Sequence, residues 1–206
     1  MRTIYIARHG ECVANAQRRL PSSDSPLTEK GIEQAKSLAD DLVGQGITTI
    51  YSSPAARALE SAEIIGKRLG LAVVAEESFR DFNFGSYVGR KYDGSDSKVT
   101  EQLQQMKNNP SNHSFPRGDS LVDLYRRVVP GLEKIVRENP EGIPLLVSHI
   151  YVNRHLIGVL YGICEAGASE IWQPNGCVYI IERGEIRYYL EGKETEGYLK
   201  VKPDSI

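Results

Sequence analysis

The sequence has little cysteine, little of the largest apolar side chains, and no excess of either charge. Its 206 residues include three cysteines, one tryptophan, two methionines and four phenylalanines. The cysteines, Cys12, Cys164 and Cys177, are odd in number and far apart, so they form neither a disulfide framework nor a zinc-knuckle spacing. They read as reduced thiols of a cytoplasmic protein. A formal net charge of -2 gives no whole-molecule basic field, which argues against nucleic acid as partner. Any affinity for an anion must come from a local group of arginines. No apolar run reaches the roughly 20 residues that span a bilayer, and residues 2–6 read as a strand, not as a leader peptide. Neither a membrane nor a nucleic acid is therefore an expected partner. A homodimer is left open.

What is present is an alternation of apolar runs with helical patterns, which predicts an α/β fold. Residues 3–7 form a short apolar run that stops at Arg8-His9-Gly10. Thr28 starts a helix whose apolar positions Ile32, Ala35, Leu38, Ala39 and Leu42 share one face, closed by Gly44 and Gly46. Strands are expected at 47–51 and 71–75, with a helix between them carrying Ala58, Ala62, Ile65 and Leu69 inward. Asp119-Ser120 opens a long helix to about residue 138. Residues 144–148 form a buried strand that stops at His149, and a helix covers 152–161. Segments 177–182 and 186–190 pair as a hairpin around Arg183-Gly184. Residues 76–118, rich in Gly, Asn, Ser and Pro, hold one helix near 99–107 and read as an insertion or lid over the site. The chain is expected to be a single domain, 1–206.

Two histidines, His9 and His149, each follow an apolar strand, and open α/β sheets bind ligands beyond the carboxyl ends of their strands. A third strand end leads through Ser52-Ser53-Pro54 to Arg57 near a helix start, where backbone N–H groups favour an anion. Arg8 and Arg57 can fork onto phosphate oxygens. His113 and His155 have no such setting and read as structural. Two other readings stay open from the residues alone: a metal held by His9, Glu11 and Cys12, and Cys12 as a nucleophile beside Arg8 and His9.

At this point the chain resembles the histidine phosphatase superfamily, the phosphoglycerate mutase-like group, over nearly its whole length. Arg8-His9-Gly10-Glu11 is similar to its signature, with Asn15 downstream. Asp24-Ser25-Pro26-Leu27-Thr28 with Gly31, Ser52-Ser53-Pro54 with Arg57 and Ala62, and Phe84-Gly85-Ser86-Tyr87-Val88-Gly89 match further elements. So do Gly118-Asp119-Ser120 ahead of Asp123 and Arg127, and Val147-Ser148-His149 with Arg154. The resemblance implies a three-layer α/β/α fold with a mostly parallel sheet. It also implies a metal-independent phosphoric monoester hydrolase that needs no cofactor and acts on a small phosphorylated metabolite.

In that chemistry His9 attacks phosphorus and becomes phosphohistidine. Arg8, Arg57 and His149, the last as imidazolium, neutralise the phosphoryl oxygens, and Asn15, Ser22 and Ile150 complete the substrate site. The acid that protonates the leaving group falls at Asp81, where the group more often has glutamate. A free aspartate, with a pKa of about 3.9, is a poor acid at neutral pH, so the role needs a neighbouring dianion. Glu77 is the fallback acid. Ile150-Tyr151 follows the second histidine where glycine is common, and Val88 replaces a common glutamate.

Two alternatives accompany hydrolysis. One is phosphoglycerate mutase-type transfer, disfavoured because the chain is short and lacks a Glu-Arg-x-Tyr-Gly element. The other is a non-catalytic phosphate-binding module. Specificity is expected from Arg18, Arg19, Pro21, Ser22, Asn83, Tyr87, Arg90 and Tyr151, the arginines hinting at an anionic second group on the substrate.

Overall fold

The computed structural model describes residues 3–163, 168, 171–182, 185–190 and 193–194. Its centre is strand β1 (Thr3–Arg8), buried along both faces. Ile4 and Ile6 face one apolar cluster while Tyr5 and Ala7 face another. A strand covered on both sides requires helices above and below the sheet, and they are there. Helices α2 (Glu29–Asp41) and α3 (Ala56–Leu69) close one face through Leu38, Ala39, Ala62 and Ile65. Helices α5 (Leu121–Glu138) and α6 (Ile150–Tyr161) close the other through Leu124, Val128, Ile135, Val152 and Leu156. A short helix α1 (Val13–Ala16) follows β1.

Among the described residues the sheet has seven strands, in the order β3-β2-β4-β1-β5-β6-β7. The four on one side, β3 (Val73–Ala75), β2 (Thr49–Ser52), β4 (Pro144–Ser148) and β1, run parallel. The added strands β5 (Val178–Glu182), β6 (Glu185–Leu190) and β7 (Lys193–Glu194) are antiparallel. This is the three-layer, mostly parallel architecture expected. The register pairs Arg8 with Ser148 and Ser52 with Val147, so β1, β4 and β2 end on one rim. His9, Ser53 and His149 are the first residues beyond it.

Local chemistry sets the element ends. The Thr28 hydroxyl accepts from Gly31 N–H and starts α2. Ser120 and Asp123 form a reciprocal cap on α5. Asp119, expected to share that cap, instead pairs with Arg80 and Arg127. A Cβ on Gly10 would lie 2.2 Å from the Gly31 carbonyl oxygen, so the loop after β1 lies backbone to backbone on the start of α2. The stretch 76–118 holds two 3-10 turns (Glu77–Phe79 and Gly85–Tyr87) and helix α4 (Ser97–Asn108). It is not loosely attached: Phe82, Phe84, Val99, Met106 and Phe115 belong to the same buried cluster as Ile4 and Ile6. The hairpin turn at 183–184, Cys164, and the side chains of Tyr188 and Tyr189 lie outside the described residues. Among the described residues no helix is long and apolar enough to cross a membrane.

Candidate active site

His9 is buried, with 3% of its surface exposed. Its backbone N–H donates to the Ser148 carbonyl, which ties the end of β1 to the end of β4. Its Nδ1 lies 2.6 Å from the Gly10 carbonyl oxygen. A carbonyl only accepts, so the ring proton sits on Nδ1 and Nε2 carries a lone pair. Burial, then Arg57, His149 and Arg8, hold the His9 pKa well below the usual 6.5, so the ring is neutral.

His149 stands beside it, ring centroids 5.1 Å apart. Its Nε2 is 2.7 Å from the Ser53 hydroxyl. That hydroxyl accepts from Ala55 N–H, and the Asp81 carboxylate facing Nδ1 favours the tautomer in which the hydroxyl donates to Nε2. The ring proton then lies on Nδ1, 3.4 Å from Asp81 Oδ2. Burial, with Arg57, Arg8 and Arg127 nearby, keeps His149 neutral too. The sequence reading expected an imidazolium. Without a bound dianion, three neighbouring guanidiniums and complete burial oppose the charge.

Arg57 is fully buried, one residue into α3. Its Nη1 donates to the Ser22 carbonyl at 2.8 Å and its Nη2 meets Asp81 Oδ2 at 2.5 Å. Ser22 thus acts through its backbone on Arg57, and its side chain lines a neighbouring outer cavity. Arg8 donates to the Gln173 carbonyl. Asn153, wholly buried, donates to Gln173 Oε1 at 3.0 Å and to the Ala7 carbonyl at 3.1 Å, and accepts from the Ser148 hydroxyl. Asn15 Oδ1 is taken by Cys12 N–H and Asn175 Nδ2, leaving its own Nδ2 as a donor. Asp81 is presented by a loop whose carbonyls, from Ser78 and Arg80, accept from Arg127 Nη1. Its Oδ1 accepts from Phe82 N–H.

Five buried donors on residues of this site have no hydrogen-bond partner: Arg8 Nε, Arg57 Nε, Arg127 Nε, Gln173 Nε2 and His149 Nδ1, the last facing the Asp81 carboxylate. Buried donors without acceptors cost free energy, about 1–3 kcal/mol each. The Arg8 and Arg57 guanidiniums, both close enough to His9 to act on its charge, suit an oxyanion.

His9, Arg8, Asn15, Asp81, His149 and Ile150 line one cavity of about 280 Å³. Arg57 and Ser22 line the adjoining outer cavity of about 580 Å³, which shares Pro21, Asp81 and Phe84 with the inner one. Glu77 opens on that outer cavity, with 73% of its side chain exposed, and pairs with Arg80. Glu11 turns away to Thr28 and Lys30 and Cys12 is buried at the start of α1, so His9, Glu11 and Cys12 do not converge. Arg18, Arg19 and Arg90 do not reach the inner cavity either. Arg90 forks onto Asp96 and Arg19 donates to the Gly89 carbonyl.

Sequence reasoning missed Ser53, Asn153, Gln173 and Asn175. Ser53 stood inside a quoted motif, and its position one residue past β2 was a usable signal. Gln173 and Asn175 had none, because they arrive from 160 or more residues away.

Residues 4–194 match the histidine phosphatase superfamily (branch 1). A protein of Yersinia pestis named as a probable phosphoglycerate mutase GpmB is 37% identical over 164 residues, 79% of this chain and 76% of that one. The solved structure of YhfR from Bacillus stearothermophilus is 26% identical, with a TM-score of 0.81 over 96% of this chain and 99% of that one. A putative alpha-ribazole-5'-P phosphatase from Escherichia coli shares the fold, with a TM-score of 0.79 at 22% identity over 92% of this chain and 95% of that one. With its two histidines on adjoining strand ends, this chain belongs to the histidine phosphatase superfamily and is an enzyme that acts on phosphoryl groups.

Proposed function

We propose that this chain is a metal-independent phosphomonoesterase working through phosphohistidine on His9. The observation that carries the reading is the locked tautomer. The Gly10 carbonyl holds the proton on Nδ1, so Nε2 is a neutral nucleophile with Arg8, Arg57 and His149 around it. The P–O bond to the leaving group breaks as the Nε2–P bond forms. The guanidiniums, His149 and Asn15 hold the three remaining phosphoryl oxygens. The substrate monoanion displaces the Asp81 carboxylate from Arg57 and hands it its proton, which Asp81 then passes to the departing alkoxide. With 15% of its side chain exposed, Asp81 is reached by water, and as carboxylate it takes the proton of the water that cleaves phosphohistidine.

Phosphoglycerate mutase activity is the second reading, favoured by the name of the Yersinia relative. Solvent at Asp81 favours hydrolysis over return of the phosphoryl group. The test is turnover of p-nitrophenyl phosphate with excess chelator, together with an assay for interconversion of 2- and 3-phosphoglycerate. Hydrolysis that survives chelator and disappears in His9→Ala is expected. Loss to chelator, or interconversion outrunning hydrolysis, overturns it.

A further inference from the structure

Beyond the phosphoryl group, the inner cavity is lined by Leu20, Phe84, Tyr92, Leu103, Ile150 and Tyr151. Every ionisable group in that cavity other than the two tyrosines is already assigned to phosphoryl chemistry: Arg8, His9, Asp81 and His149. The wall is also fixed in shape. Tyr151 packs on Phe82 and Phe84 with ring centroids 5.3 and 5.8 Å away, and Phe84 packs edge-on against Phe115 at 5.2 Å. Leu103 comes from the middle of α4 and Ile150 from the first turn of α6. Burial pushes the Tyr151 phenol up to about 12, so it remains a neutral hydroxyl.

The cations that could receive a second anionic group are elsewhere. Arg19 and Arg90 line a separate surface dish with Lys91 and Lys98. Arg80, in the outer cavity, is paired with Asp119 at 3.3 Å and with Glu77 at 3.8 Å. A substrate carboxylate in the inner cavity would therefore lose water and gain no counter-ion, a cost that neutral groups escape.

Resting on the phosphatase reading, we infer that the substrate's leaving group is an uncharged, largely apolar alcohol about the size of a single ring. Leu103 and Tyr151 set that preference. Phosphoglycerates, phosphoserine and other carboxylate-bearing phosphates are then poor substrates.

The test compares esters whose leaving groups are all aliphatic alkoxides, so that intrinsic reactivity is similar: benzyl phosphate, glycerol 2-phosphate and 3-phosphoglycerate. We expect kcat/KM for benzyl phosphate to exceed that for 3-phosphoglycerate by about 100-fold, with glycerol 2-phosphate between them. Leu103→Lys should shrink the ratio by about tenfold or more, through gain on the carboxylate substrate as well as loss on the benzyl one. Binding is measured separately, with benzylphosphonate against 3-phosphonopropionate, neither of which can be hydrolysed. The benzyl compound should bind more tightly to the intact protein and to His9→Ala alike. Equal or reversed preference, in turnover or in binding, overturns the inference. Absence of all turnover with the benzylphosphonate preference intact would instead overturn the phosphatase reading and leave the pocket assignment standing.

Discussion

The two ends of the catalytic cavity are built on different terms. The phosphoryl end comes from the rim of the parallel sheet: His9 after β1, Ser53 and Arg57 after β2, His149 after β4. Each polar group there is held by backbone or by a buried side chain, and the positions follow from strand register. The leaving-group end comes from α4, from the first turn of α6 and from loops at Leu20, Phe84 and Tyr92. It is made of shape, with no fixed charge of its own. On the proposed function, reaction type follows from the sheet and substrate choice from the segment that packs over it.

The largest expected effect tests the rigidity of the phosphoryl end. Arg57→Lys keeps the charge but loses the fork that joins the Ser22 carbonyl, Asp81 and substrate. We expect kcat/KM to fall about 1000-fold, near 4 kcal/mol, with the fold retained by circular dichroism. A loss under about tenfold would mean that charge alone suffices, and the contrast with the leaving-group end would weaken.

Asp81 lies where the two ends meet, and a smaller effect there sharpens the division. In Asp81→Asn, kcat/KM for benzyl phosphate should drop about 100-fold. For p-nitrophenyl phosphate, whose leaving group needs no proton, kcat/KM should change by less than about fivefold, because it does not report the later hydrolysis of phosphohistidine. Equal losses would make Asp81 a positioning residue for Arg57 and His149.

A separate effect is on stability. His9 and His149 are neutral when folded and have an ordinary pKa of about 6.5 when unfolded. Above pH 6.5 neither form binds the proton and stability is unaffected. As pH falls below 6.5 the unfolded chain takes up protons that the folded one refuses. Stability should then fall by up to about 1.4 kcal/mol per pH unit for each histidine. Urea unfolding at pH 7.0, 6.0 and 5.0 measures this, before most carboxylates titrate. A flat profile would contradict a neutral pair.

The sequence carried the phosphoryl end well. Period and caps located the parallel strands and main helices, because two-sided burial leaves long apolar runs in β1 and β4. Arg8, His9, Arg57 and His149 came from strand-end position and motif together, and Asp81 from the family resemblance alone. The leaving-group end was hardly legible. Leu103 and Tyr92 look like ordinary surface-segment residues until α4 folds back over the site. Arginines near the motifs suggested an anionic substrate, but their partners Asp96 and Gly89 are set by tertiary packing. The neutral state of His149 in the unliganded site was not legible for the same reason, since burial and a third arginine, Arg127, are invisible in local sequence.

The most direct test is to trap the enzyme during turnover with a labelled phosphomonoester and locate the label by peptide mass spectrometry. The account predicts one phosphoryl group, labile in acid and stable in alkali, on His9 and absent from His9→Ala. Label on Ser53, on Cys12 or on His149 would contradict it.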